Sequence, residues 1–567
     1  MDNKKKSYLS GPSSQPLLGC TVGELFDSSV SRFPDLEALV SRHQSIRYTY
    51  RELGRAVDEL ARALMAIGIE KGDRVGIWSQ NNAEWVLVQF ATGKIGAILV
   101  NINPAYRIPE LEYALKQSGT KALILAPAYR TSNYVEMMRQ LLPEIKNDPK
   151  GGVRSGRLPD LRLLITIGQE EHAGFLSWPR LLELATEVTK EQSEERQAEL
   201  EFDDAINIQY TSGTTGLPKG ATLSHHNIIN NGYFIGEAMR FTSQDRLCIP
   251  VPFYHCFGMV LGNLACITHG SAMILPSDRF DAEAVLETLE EEKCTAVHGV
   301  PTMFSAIMES PGLKKRKTPK LRTGIMAGSP CPIELMKQVI SVLGASEITI
   351  AYGMTETSPV SFQTTVDDPI ELRVSTVGRI HPHVEAKVIN PLGRTLPIGQ
   401  PGELCTRGYN VMLGYWNDPG GTAVAIDAAG WMHTGDLGVM DENGYVNIVG
   451  RIKDMVSRGG EKVFPCEVEE VLYTHPAISE VQVIGVPDKK YGEQVMAWIK
   501  LKNGCSASDA DIREFCKDRM AYFKIPKYIK FVTEFPMTIT GKIQKYKMRE
   551  VSIEELGLQD AASIRTA

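Results

Sequence analysis

Ten residues from Thr211 to Gly220, TSGTTGLPKG, set four hydroxyl side chains, three glycines and one lysine side by side. Glycine lets backbone amides approach an anion closely, the hydroxyls of Thr211, Ser212, Thr214 and Thr215 donate to its oxygens, and Lys219 adds a mobile positive charge. This is the chemistry of a phosphate cradle. The nucleotide-hydrolase P-loop is excluded, because it needs Gly-x-x-x-x-Gly-Lys-Ser/Thr. Here Pro218 stands five places after Gly213, and Lys219 is followed by Gly220, which has no hydroxyl for a metal. Taken alone, the stretch also suits a flexible linker rich in Ser, Thr and Gly, so the rest of the chain must decide.

Further segments carry chemistry by residue type: VPFYHCFGMV at 251–260, AGSPCP at 327–332, AYGMTETSP at 351–359, WMHTGDLG at 431–438, GRIKD at 450–454 and PMTITGKIQK at 536–545. Each is short enough to be an ordinary turn. The signal lies in their joint occurrence, in this order, after the cradle.

The elements that must position these segments follow from periodicity. Leu53, Ala56, Val57, Leu60, Ala61 and Leu64 recur at helical spacing, DRVGIWS reads as a buried strand, NAEWVLVQFATGKIGA as a helix and ILVNIN as a strand stopped by Pro104. This βαβ rhythm predicts a layered α/β body. Residues 144–157 and the acidic run EVTKEQSEERQAELEFDD read as surface loops and an exposed helix. Around residues 445–472 a β-rich passage ends in charges and a glycine pair. A smaller α+β unit follows, with strands through Val481 and Val483 and through Val495, Ala497, Ile499 and Leu501. A Ser508–Asp511 capping box then opens a helix whose face is Ile512, Phe515, Cys516 and Met520. The expected fold class is therefore α/β plus α+β: a large layered domain over 1–450 and a small C-terminal domain over 451–567.

A chain of 567 residues is too long for one core. Its net charge of −7 advertises no nucleic acid, and the basic runs KKK and LKKRKTPK read as solvated surface. Ten cysteines without a C-x-x-C pair predict neither a disulfide framework nor a thiolate zinc site. No apolar leader core precedes them, so the mature chain is expected to start here and to reside in the cytoplasm. Residues 247–277 contain no Asp, Glu, Lys or Arg, but Pro250, Pro252, Pro276, His255, Asn263 and His269 speak for buried core and against a membrane span.

The ordered set of motifs resembles the adenylate-forming superfamily of acyl-CoA synthetases, aryl-CoA ligases, luciferases and peptide-synthetase adenylation domains, over nearly the whole chain. The resemblance implies a mobile C-terminal lid and a carboxylate that attacks the α-phosphorus of ATP. The acyl-adenylate formed with pyrophosphate is then thiolysed by coenzyme A. It implies a catalytic set of Lys542, Thr355, Glu356 and His255. The loop of Thr211, Ser212, Gly213, Thr214, Thr215, Gly216, Leu217, Pro218 and Lys219 would hold the β and γ phosphates, Glu356 would hold Mg²⁺, and Thr355 would hold the α-phosphate. Tyr352 would face Gly328, Ser329 and Pro330 across the adenine. Asp436 and Arg451 would reach the ribose, and Lys542 would sit between the carboxylate and the α-phosphate. Lys453 would be the hinge, and Gly459 and Gly460 would line the CoA channel, although a plain turn also explains them. His255 would gate the acyl pocket unless it is a satisfied core histidine, while His225 has only a structural, helix-starting role.

The segment PFYHCFG lacks the aspartate that an amino-acid substrate would need, and apolar walls at 247–277 and 297–304 point to an aliphatic or simple aryl acid. Within the superfamily the run TSGTTG-PKGATLSH is most similar to the medium-chain synthetases of the acyl-CoA synthetase family member 2 type. An aryl or short-chain ligase is the main rival. A non-catalytic nucleotide- or lipid-binding relative and a phosphate-transferring kinase are the other classes. The implied partners are a carboxylic acid, ATP and CoA, with no nucleic acid and no transmembrane segment; a homodimer is compatible with the sequence.

Overall fold

The computed structural model describes residues 5–146, 148–211, 218–318, 320–329, 331–538 and 543–562. Two large sheets build the N-terminal body. The first runs Leu176–Ser177, Leu163–Thr166, Ala122–Leu125, Arg74–Trp78, Ile98–Asn101, Ala205–Thr211, Lys219–Ser224 and Gly414–Tyr415. It is parallel up to Ala205–Thr211 and antiparallel beyond, where the cradle folds the chain back on itself. The second is parallel from Glu347–Gly353 through Thr323–Ala327, Ala296–Gly299, Arg246–Cys248 and Ala272–Leu275 to Glu37–Ser41.

Helix Tyr50–Ala66 starts at a Thr49–Glu52 capping box and buries Leu53, Val57, Leu60, Ala61 and Leu64, as its spacing predicts. Helix Ala83–Ile95 is buried on all faces, with every residue but Glu84 buried and Lys94 ion-paired to Asp27 and Asp58; Asn82 caps its start and Gly96 (φ +70°) its end. Residues 247–277 fold into short helices and strands of this core. Asn263 Nδ2 donates to Gln89 at 2.7 Å, and His269 Nε2 lies 3.1 Å from Glu237, so both side chains find polar partners within the protein. Among the described residues no helix is long and apolar enough to cross a membrane.

A third, antiparallel sheet joins both ends of this body: Tyr8–Ser10, Val384–Ile389, Gly402–Gly408, Met432–Met440 and Val446–Arg451. Beyond it, Val456–Arg458, Glu461–Val463, Ile478–Asp488, Gly492–Leu501 and Tyr528–Phe531 form a separate sheet. Its core of Val481, Val483, Val495, Ala497, Ile499, Ile512 and Cys516 is its own, and the Ser508–Asp511 capping box is formed. The architecture is the large α/β body and small α+β unit expected from the sequence.

Candidate active site

Asp436 lies in a bulge of strand Met432–Met440. Between the pairs Cys405–His433 and Glu403–Leu437 that strand carries extra residues, Thr434 to Asp436, and a bulge re-aims the side chain it carries. Gly435 takes φ +68°, a left-handed conformation that glycine adopts without strain. Thr434 Oγ1 donates to the Leu404 carbonyl at 2.7 Å and accepts from Asp436 N at 3.1 Å, which fixes the loop. Asp436 is 6% exposed and is the register partner of Arg451 at the end of Val446–Arg451. Arg451 Nε lies 3.0 Å from Oδ1, and the Tyr352 hydroxyl donates to Oδ2 at 2.7 Å. The Arg451 approach is an ion pair without hydrogen-bond alignment, so Oδ1 stays a buried acceptor with no donor of its own, a fit for a ligand hydroxyl. Burial, and secondarily the Asp436 carboxylate, push the Tyr352 phenol well above its ordinary range.

Tyr352 is the penultimate residue of strand Glu347–Gly353, and three residues on, Thr355–Thr357 makes a tight turn. Glu356 in that turn is 6% exposed, and its Oε1 accepts from the Tyr415 hydroxyl at 2.7 Å. Lys219 Nζ stands 4.8 Å from the centre of the Tyr415 ring and 4.0 Å from Asp418. Thr211 and Lys219 are cross-strand partners that close the base of the cradle, and Trp416 N donates to the Gly220 carbonyl at 2.7 Å. Pro218 is half-buried beside them. Tyr415 had no signal in the chain: its place follows from a short strand, Gly414–Tyr415, pairing with the cradle's distant exit strand, Tyr415 opposite Ala221. Thr355 Oγ1 lies 3.8 Å from Cys256 Sγ, which puts that turn against the 251–260 segment. His255 Nδ1 accepts from Phe257 N at 3.1 Å and caps the short helix Cys256–Gly258, and burial pushes the Cys256 thiol up to about 12.

Gly328 (φ +92°) is exposed, and Ser329 beside it is half-buried, just past strand Thr323–Ala327, the neighbour of the Tyr352 strand. Lys453 is exposed in the turn Ile452–Asp454 that follows Arg451. Gly459 and Gly460 (φ +60° and +91°) are the exposed tip of the hairpin Val456–Arg458 to Glu461–Val463, so here they act as a turn. A side chain at Gly459 would meet Tyr491 at 2.9 Å, whereas one at Gly460 would meet open space. Ser212, Gly213, Thr214, Thr215, Gly216, Leu217, Pro330 and Lys542 lie outside the described residues. His225 is fully buried at the start of helix His225–Ala238, where Nδ1 accepts from Val22 N at 2.9 Å, the structural role expected of it. A cavity of about 370 Å³ opens beside Pro252 and Tyr254, with Thr302, Met303 and, from the C-terminal unit, Met537 in its wall.

Residues 26–416 match the family model for the AMP-binding enzyme, and residues 467–542 the model for the AMP-binding enzyme C-terminal domain. The chain is 50% identical over 546 residues to YngI of Bacillus subtilis strain 168, a protein named provisionally as an acyl-CoA synthetase, covering 96% of this chain and 99% of that one. It is 45% identical over 555 residues to the mitochondrial medium-chain acyl-CoA ligase ACSF2 of Danio rerio, covering 97% and 91%. Among solved structures, the anthranilate CoA ligase AuaEII in complex with anthranoyl-AMP superposes with a TM-score of 0.83 at 26% identity, covering 96% and 99%. ATP-bound MatB from Rhodopseudomonas palustris gives 0.81 at 29%, covering 94% and 99%. With both family models matched in order and relatives of this identity aligned almost end to end, the chain belongs to the AMP-binding, adenylate-forming enzyme family and, within it, to the acyl-CoA synthetases.

Proposed function

We propose that this enzyme is an ATP-dependent fatty acid–CoA ligase with a preference for medium chains. The carboxylate attacks the α-phosphorus of ATP to give acyl-adenylate and pyrophosphate; the CoA thiol then attacks the acyl carbon to give acyl-CoA and AMP. The observation that carries this reading is a pair of contact chains near the Thr355–Glu356 turn: Tyr352 and Arg451 meet on Asp436, and Tyr415 joins Lys219 to Glu356. A hydroxyl-accepting carboxylate and the cationic exit of the cradle thus belong to segments that meet at this turn.

In this reading Asp436 Oδ1 accepts ribose hydroxyls, Arg451 supports it, and Tyr352 lies against the base opposite Gly328, Ser329 and Pro330. Residues 211–219 hold the β and γ phosphates, Thr355 donates to the α-phosphate, and His255 stands at the mouth of the acyl pocket. The Glu356 carboxylate is a hard oxygen donor suited to Mg²⁺, which would neutralise phosphate charge there. Lys542 offsets charge building between the carboxylate and the α-phosphorus. We place the domain boundary at 450/451 with Lys453 as the hinge. The separate core of the C-terminal unit supports it, as does the position of Lys453 directly after the Asp436–Arg451 pair. Rotation there would carry Gly459 and Gly460 toward the CoA channel and let one pocket run two reactions in turn. Ten free cysteines suit a reducing compartment, and we place the enzyme in the cytoplasm.

Medium-chain preference rests on the ACSF2 relatives, while the apolar walls at 247–277 and 297–304 support an aliphatic or simple aryl acid. The test is chromatography of nucleotide and thioester products after incubation with ATP, Mg²⁺, CoA and acids from acetate to palmitate together with benzoate. AMP in step with one medium-chain thioester is the expected result. A dominant benzoyl thioester would favour an aryl ligase, and ADP would overturn the mechanism.

A further inference from the structure

Behind the Asp436 bulge, on the same two strands, three metal-ligating side chains meet. Cys405 and His433 are direct cross-strand partners, and Glu403 lies two residues before Cys405 on Gly402–Gly408. His433 Nδ1 is 3.1 Å from Glu403 Oε2 and 3.7 Å from Cys405 Sγ, and the three ligand atoms all lie within 4.8 Å of one another. Ligand atoms around a tetrahedral ion with bonds of about 2.0–2.3 Å stand roughly 3.3–3.8 Å apart, so two of the three edges already have nearly that length. Asp427 Oδ2 lies 3.8 Å from His433 Nε2, longer than a hydrogen bond but on the side of the ring where an outer carboxylate would support a ligating imidazole. Cys405 is fully buried beside Ile389 and Trp431, while the His433 and Glu403 side chains are 30% and 22% exposed and give an ion a way in.

A histidine–glutamate ion pair alone would need neither a thiol at 3.7 Å nor a second carboxylate behind the ring. The mix of thiol, imidazole and carboxylate selects against Mg²⁺, which takes oxygen ligands, and for a softer ion. The ligands come from strands 28 residues apart, so the spacing of the cysteines gave no sign of them.

We propose that Glu403, Cys405 and His433 form a binding site for a thiophilic divalent cation of the zinc class, with Asp427 behind the imidazole and a fourth position open. Binding forms a sulfur–metal bond in place of the Cys405 S–H, whose proton goes to solvent. The imidazole binds through Nδ1 in its neutral form, with its N–H on Nε2 toward Asp427. No redox change is involved. The site is coupled to the nucleotide pocket through Glu403, whose other oxygen, Oε1, accepts from Gly435 N at 3.3 Å. Drawing Glu403 onto the cation loosens that hold on the bulge and weakens nucleotide binding.

The test is titration of the chelator-treated full-length enzyme with Co²⁺ in excess Mg²⁺. One equivalent should bind with a thiolate-to-cobalt charge-transfer band and the visible bands of tetrahedral cobalt, and Zn²⁺ should displace it. Both signals should vanish in Cys405→Ser and His433→Gln and persist in Cys505→Ser. Absence of the band in the unmodified enzyme, which needs no variant to fold, would overturn the site, as would a band that survives in folded Cys405→Ser. Adenosine, which does not chelate the cation, should bind more weakly to the Zn²⁺-loaded enzyme by calorimetry; equal affinity would remove the coupling.

Discussion

The Tyr415 hydroxyl reaches Glu356 Oε1 at 2.7 Å across 59 residues of chain, and the same tyrosine ring carries the Lys219 ammonium 4.8 Å from its centre. One aromatic side chain therefore links the exit of the phosphate cradle to the carboxylate assigned to the metal. Its polar tip holds the anion and its ring face holds the cation.

Tyr415→Phe keeps the ring and removes the hydroxyl. A hydrogen bond to a charged group contributes ~1.5–3 kcal/mol, so kcat/KM for adenylate formation should fall roughly ten- to a hundredfold. Measured against Mg²⁺ concentration, the loss should be greatest at low Mg²⁺, with little change in melting temperature. A Mg²⁺ dependence equal to that of the parent enzyme would separate Tyr415 from the metal carboxylate.

Asp436→Asn removes the charge that Arg451 faces and replaces one acceptor oxygen by a donor. ATP binding should weaken about tenfold or more, the scale of one charge-assisted hydrogen bond. Isothermal titration with ATP or adenosine reads this directly, and the double variant with Arg451→Gln should lose less than the sum of the two single changes because the side chains touch.

Lys542→Ala should slow adenylation by about a hundredfold or more, the effect of removing one transition-state donor, while thiolysis of supplied acyl-adenylate stays near normal. Pyrophosphate release and thioester formation, followed separately, give the two rates. Equal loss of both would merge the roles assigned to the lid.

Gly460→Phe should show the opposite bias, with adenylate accumulating and thioester formation failing. A side chain at Gly460 meets nothing within 4 Å in the present arrangement. A defect confined to thiolysis would therefore report a surface engaged only after the lid moves. Its positive φ adds backbone strain, so the melting temperature should be recorded alongside the rates.

Acid should destabilise the large domain through its buried histidines. Burial holds His225 and His298 down to about 4 and His381 to about 3, below the ordinary histidine value near 6.5 that each regains on unfolding. Between these limits the unfolded chain binds more protons. Stability from these groups is thus full above about 6.5 and declines as pH falls toward about 4 for His225 and His298 and about 3 for His381. Urea unfolding at stepped pH should show this slope, and His298→Gln, which can keep a donor toward the Leu261 carbonyl, should flatten it.

Much of the site was legible because its residues sit in short, chemically loaded segments. Tyr352, Thr355, Glu356, Asp436 and Arg451 could be named as candidates from the ordered set of motifs and the family it resembles, and helix Tyr50–Ala66 from its spacing. What the sequence hid was long-range geometry. The bulge that turns Asp436 inward depends on register against Gly402–Gly408, Tyr415 depends on a short strand added to a distant sheet edge, and Cys405 meets His433 only by cross-strand pairing. None of these leaves a periodic trace, because each is fixed by which strands become neighbours.

Strand Tyr8–Ser10 also has a consequence for how the enzyme is made. It pairs with Val384–Ile389, and the Tyr8 hydroxyl donates to Glu385 at 2.6 Å across 377 residues. During synthesis the first strand must therefore wait, unpaired, until most of the chain has emerged. It then adds to the edge of the sheet that displays Asp436, late and at an entropic cost of loop closure. Nucleotide-binding competence should accordingly be among the last properties a nascent chain acquires, well after the helices between the two large sheets have packed.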